Sequence, residues 1–323
     1  MSLLRCRDGR LRLGWRLTLG WLALTACLWL AGTAGQLARH YLGVSDVVRQ
    51  VIQAPIVLVG VTAAIIALRR YADRRPLRGM GLTPLRTGWP YLLLGVGFVT
   101  VMVGGSLAVS VALGWMRVVD VHFSAGTLAT LAVGVALAVT YEAFPEEIAF
   151  RGYLYQNLAT WLPRWLAMLV QIVLFTLVPL VVNAASRLAG MGDSVTGPYG
   201  GSGISAAYVI LLATWGLVLQ LCRIVTGNLW TNIGFHLGWL SLSPYVIGRG
   251  KHALIQVADI VPRTYEEVVF WLGPIVVASL VLLAVPSLRG RPAEWGGRAP
   301  ERPGGVDGPA TAVAREHGAG ATR

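Results

Sequence analysis

The sequence predicts an all-α fold, a polytopic membrane helix bundle of about eight transmembrane helices with both termini in the cytoplasm. Three observations predict it. Hydrophobic residues make up 55% of the 323 residues and charged residues only 13%, a balance too apolar for a soluble domain of this size. The apolar residues gather in runs of about 20, the length that crosses a hydrocarbon core about 30 Å thick. The basic residues sit at the ends of those runs and in short connections, so the net charge of +12 reflects topology and not a nucleic-acid surface.

The first span is read at 14–34. Arg5, Arg7, Arg10, Arg12 and Arg16 precede or open it, as in a signal peptide, and Leu24, Thr25, Ala26 and Cys27 resemble a bacterial lipoprotein cleavage box. The apolar run continues past Cys27 through CLWLAG, so an uncleaved first helix is expected. The other spans are read at 47–68, 90–115, 125–143, 165–185, 204–222, 228–247 and 266–286, and the fourth is expected to continue as an amphipathic extension to about residue 160. With the N-terminus in the cytoplasm, 20 of the 27 Lys and Arg residues fall on that side, which supports the orientation and an even number of spans.

This divides the chain into a basic cytoplasmic N-terminus (1–13), a transmembrane bundle (14–286) and a cytoplasmic tail (287–323). From Pro286 onward 13 of 38 residues are Gly or Pro and no apolar period survives, so the tail is expected to be disordered. The loop GMGDSVTGPYGGSG, 190–203, reads as a flexible turn on the outer side. Cys6, Cys27 and Cys222 are odd in number and scattered, which gives neither a disulfide framework nor a zinc spacing.

One stretch breaks the apolar pattern. YEAFPEEIAFRGYLYQ, 141–156, places Glu142, Glu146, Glu147 and Arg151 at the end of the fourth span. On a helix Glu142 and Glu146 share a face, and so do Glu147 and Arg151. Pro145 removes one backbone donor and predicts a kink or a restart. One reading is an exposed helix end with a surface ion pair worth about 0–1 kcal/mol. The other is a functional pair of glutamates, with Arg151 fixing Glu147 and leaving Glu146 to act as a general base.

The residues EEIAFRG, 146–152, resemble the EExxxR motif, in its EExxFRG form, of the CAAX-protease and bacteriocin-processing intramembrane peptidases. The resemblance covers about residues 125–245. It implies an intramembrane endopeptidase that hydrolyses a peptide bond near the cytoplasmic face. Carried over, Glu146 activates the attacking water, and Glu147 and Arg151 support it.

The family's second motif, FxxxH, aligns with Phe175, but Pro179 stands where the histidine is expected. Gln171, Phe175, Pro179 and Asn183 share one face, and Asn183 is the nearby polar group that can hydrogen-bond a water. The third motif supplies His236, but Leu240 stands where Asn or a similar polar residue is expected. Asn232 lies one turn before His236, on its face. His236 is therefore read either as the group that polarises the scissile carbonyl or stabilises the oxyanion, with Glu146 as its candidate partner, or as a structural histidine bonded to a carbonyl or to Asn232.

A metal is not expected. Zinc wants three protein ligands, and Glu146 and His236 with a neighbouring glutamate are the only candidates. The partners implied are membrane lipid and a peptide or membrane-protein substrate, with no nucleic acid, and a bacterial plasma membrane is the expected location. Pro179 and Leu240 keep a second function open: a catalytically impaired or inactive relative that binds or scaffolds a membrane partner. A small-solute transporter rests on span count alone, with no paired broken helices to mark its site. Substrate identity and oligomeric state are not legible in the sequence.

Overall fold

In lipid each backbone N–H and C=O must find its partner inside the chain, so apolar runs of this length fold as helices. The computed structural model describes residues 4–6, 8–193, 204–250, 253–260, 272–288, 295 and 297. Its main helices are α1 (Leu13–Leu42), α2 (Asp46–Ala67), α3 (Leu85–Ala112), α4 (Ala125–Ala159), α5 (Arg164–Leu188), α6 (Ala206–Thr226), α7 (Leu229–Ser241) and α8 (Gly273–Leu288). Helices α1 to α6 are long and apolar enough to cross a membrane, and the chain is an integral, multi-pass membrane protein. The expected start of the last span, most of the loop 194–203 and nearly all of the tail lie outside the described residues. Within the tail, the Trp295 and Gly297 carbonyls accept from the backbone N–H groups of Trp165 and Arg164.

Helix ends follow local chemistry. Ser45, Ser124 and Ser205 cap α2, α4 and α6 by accepting from Val48, Thr127 and Tyr208 N–H, and Asn228 caps α7 by accepting from Trp230 N–H. Each cap satisfies one donor that a helix start leaves open. Helix α1 runs through Cys27 without a break.

Three features depart from the sequence reading. The extension of the fourth helix is not amphipathic: every residue from Glu147 to Tyr155 is buried, because other helices surround it. The helix also passes Pro145 without stopping. It widens to π geometry at Val139–Ala143, where Phe144 N–H reaches the Val139 carbonyl, and again at Ile148–Leu154. Since Pro145 has no N–H to give the Tyr141 carbonyl, the wider turn absorbs the missing α-helical bond.

The seventh helix is α-helical to Ser241 and continues in π geometry through Val246, close to the expected end at 247. Its 13 α-helical residues make about 20 Å, and most of them are buried among the other helices. After Val246 the chain enters a small sheet. Strands β1 (Met116–Val121), β2 (Ile247–Gly248) and β3 (Ile255–Asp259) lie in the order β1-β3-β2, with β1 antiparallel and β2 parallel to β3. This sheet was not expected; its strands fall in the connections between helices.

Helix α7 lies against α3 with backbones touching. A Cβ at Gly95 would collide with the Thr231 carbonyl and Phe235 N, and one at Gly234 with the Leu92 carbonyl. The absence of a side chain at these two glycines sets the crossing distance.

A polar cluster pins α1 and the segment after α2 to α4. Asp73, fully buried, accepts from Tyr153 Oη at 3.1 Å, Asn157 Nδ2 at 3.0 Å and Arg69 Nη1 at 3.2 Å. Arg16 Nη1 lies 3.6 Å from Asp73 and donates to Asn157 Oδ1 at 2.9 Å. Arginines counted for topology thus also hold the bundle together.

Gly95→Val is expected to cost about 1–3 kcal/mol or more by overpacking the α3–α7 crossing. Gly97→Ala, where an added Cβ meets nothing within 4 Å, is expected to be neutral or stabilising. Thermal unfolding of the two variants in detergent compares them.

Candidate active site

Helix α4 carries the acidic stretch into the middle of the bundle. Glu147 is fully buried, as is Arg151 one turn later. Arg151 Nη1 donates to Glu147 Oε1 at 3.0 Å. His236 Nδ1, from α7, lies 3.1 Å from the same oxygen. With Glu147 ionised beside Arg151, the imidazole donates its Nδ1–H, and Nε2 is the ring nitrogen left for other partners. One carboxylate oxygen thus joins an arginine on its own helix to a histidine on another.

Arg151 is held on its other sides as well. Its guanidinium carbon lies 4.7 Å from the Phe175 ring centroid and 5.7 Å from that of Phe150, and the two rings meet edge to face. Its Nη2 points toward the Gly216 carbonyl at 3.5 Å. Phe175, the one matching residue of the second motif, is therefore the α5 face of a cation–π clamp.

The ion pair read from the i, i+4 spacing is present, but it is no surface pair. Both partners are shut away from solvent, where a charge left without its partner costs several kcal/mol. The hydrogen bond of His236 goes to Glu147, while Glu146 and Glu142 act on His236 at longer range through their charges. Glu146 is partly buried and, among the described residues, makes no hydrogen bond or ion pair. The structure thus gathers Glu142, Glu146, Glu147, Arg151 and His236 in one place.

The other expected residues occupy the surroundings. Asn232 donates Nδ2–H to the Leu219 carbonyl, which fixes its amide on α6. Asn183 is buried on α5. Gln171, Phe175, Pro179 and Asn183 all face inward, as their spacing required. Pro179 follows Phe175 by one turn, about 6 Å. Among the described residues no group of three or more His, Cys, Asp and Glu is arranged to hold a metal ion.

The aromatic packing of the histidine was missed in the sequence. Trp215 of α6 meets the imidazole edge to face at 5.4 Å between centroids, and stacks in turn on Phe235 and Trp239. Trp215 carries no motif, and a tryptophan in an apolar run reads as lipid-facing until its neighbours are known.

Residues 126–242 match the model of a family described as type II CAAX prenyl endopeptidase Rce1-like. The matched segment runs from the start of α4 past α7 and includes both EEIAFRG and His236. The chain thus carries an Rce1-like region, in keeping with the resemblance read from that motif. Neither a curated protein nor a solved structure matches it.

Arg151→Leu leaves Glu147 buried without its arginine, and is expected to cost about 3–5 kcal/mol. Adding Glu147→Leu removes the stranded charge and is expected to recover part of that loss. Equilibrium unfolding of the single and double variants in detergent measures both.

Proposed function

We propose that the chain is an intramembrane endopeptidase of the CAAX-protease family that hydrolyses a peptide bond near the cytoplasmic membrane face, with Glu146 activating the water. The observation that carries this reading is the shared use of Glu147. Arg151 and His236 both hydrogen-bond it, while Glu146, the adjacent carboxylate, makes no hydrogen bond or ion pair among the described residues and sits beside a positioned histidine.

In this mechanism Glu146 takes a proton from water as the oxygen adds to the scissile carbonyl. His236, anchored through Nδ1, presents Nε2–H in its imidazolium form to the oxygen that gains charge. Collapse of the tetrahedral species breaks the C–N bond, and Glu146 returns the proton to the leaving amine. Such acid–base and oxyanion contributions are each worth about 10²–10³-fold or more. Asn183 or Asn232 completes the proposed set as the group that places the water. The mechanism runs on side chains: Glu146, His236 and a neighbouring glutamate are a thin ligand set for zinc, which wants three ligands in defined geometry.

The proposed setting is a bacterial plasma membrane with both termini cytoplasmic, supported by the 20 of 27 basic residues on one side. The proposed partners are lipid and a peptide or membrane-protein substrate. Whether that substrate carries a prenyl group, as the family's description would have it, is separable from the peptidase reading.

Pro179 and Leu240 favour a second reading, an inactive relative that binds a membrane partner. The decisive comparison uses the purified protein and its Glu146→Ala variant against a fluorogenic peptide library. Cleavage that falls by about 10²-fold or more in the variant supports the enzyme. Equal background in both leaves the binding protein.

A further inference from the structure

Beside the candidate catalytic groups lies a cavity of about 170 Å³, lined by Gln50, Leu137, Tyr141, Glu142, Leu240 and Tyr245 among others. Its place follows from two helical spacings. Glu142 precedes Glu146 by one turn on α4, and Leu240 follows His236 by one turn on α7. The cavity is thus about 5–6 Å along each helix from the groups proposed to do chemistry.

Its chemistry is lopsided. Among the described residues, Glu142 is the one charged side chain in the lining. Among the described residues no hydrogen bond or ion pair joins it to another group, and the basic group whose charge acts on it is His236, already bonded to Glu147. Tyr141 and Tyr245 add two phenol rings and Gln50 an amide, while Leu137 and Leu240 make an apolar wall. A partly buried carboxylate with no cation beside it carries a desolvation cost. Tyrosine rings suit a cation as neighbours, and an apolar wall suits the alkyl stem of a long basic side chain. The volume is roughly ten times what a single water needs. An acidic side chain entering here would meet Glu142, with Glu146 one helical turn further on.

We infer that this cavity receives a Lys or Arg side chain of the substrate, at a position flanking the scissile bond. The inference rests on the peptidase reading and names its substrate class. It also gives Leu240 a use. In place of a polar residue beside the oxyanion, it supplies the wall against which the substrate's alkyl stem lies.

The test uses the full-length protein in detergent and fluorogenic peptides that differ only in carrying Lys, Arg, norleucine or Glu at each position flanking the cut. At one position kcat/KM for Lys or Arg is expected to exceed that for norleucine by about tenfold or more, the scale of a single side-chain pocket, with Glu lowest. In Glu142→Gln the Lys-to-norleucine ratio is expected to fall toward one, and in Glu142→Asp, which keeps the charge, to stay above it. A wild-type ratio near one at every position overturns the proposal, as does a ratio unchanged in Glu142→Gln. If no peptide is cut, it is the peptidase reading that fails. Anisotropy binding of the same peptides to Glu146→Ala then decides the pocket alone. Tighter binding of the Lys peptide than of the norleucine peptide upholds it, and equal affinity ends it.

Discussion

The interior of this bundle is organised by one carboxylate oxygen. Glu147 Oε1 takes a hydrogen bond from Arg151 and another from His236, and in a low-dielectric interior neither charge can be left alone without a cost of several kcal/mol. Satisfying it fixes the rotation of α4 about its axis. Arg151 then fixes α5 through the Phe175 ring and approaches α6 at the Gly216 carbonyl, and His236 fixes α7. Four helices take their relative orientation from a pair that the sequence alone presents as an ordinary i, i+4 salt bridge. The glycine contacts between α3 and α7 press on the other side of α7, so the histidine is held from both directions.

A second ionic cluster repeats the principle further along α4. Asp73 gathers Arg16, Arg69, Tyr153 and Asn157. From Glu147 to Tyr153 is about 9 Å of helix, filled with Phe150 and other buried apolar residues. The central helix is therefore clamped at two heights with a packed segment between. That arrangement suits a site which has to hold charged groups in place inside a membrane protein.

Much of this was legible in the sequence because length and polarity are one-dimensional properties. Apolar runs of about 20 residues predict helices, and Glu147 and Arg151 announce their pairing by spacing. What escaped depends on which residues meet across helices. Asp73, Arg16 and Arg69 read as charged ends and connections, since nothing in a loop's composition says that α4 passes over it. The strands of the small sheet are short and fall in connections, with β1 mostly exposed. His236 was expected to face Glu146 and instead bonds Glu147. The two glutamates are adjacent in sequence but about 100° apart around a helix, so the choice between them rests on helix rotation, which no spacing rule supplies.

The two π turns of α4 carry that lesson into the history the gene can tolerate. Each wide turn holds roughly one residue more than an α-helix would, and a residue is worth about 100° of rotation. The direction in which Glu146, Glu147 and Arg151 face therefore depends on residue count and turn width together. A one-codon deletion at Val139–Ala143 that spared every polar side chain would let the helix relax to α geometry with the acidic segment still turned toward His236, because the wide turn holds the one residue that is lost. Without a wide turn to absorb it, the same extra residue would rotate that segment by about 100°. Along this helix, the wide turns are where chain length can change while the site keeps its direction.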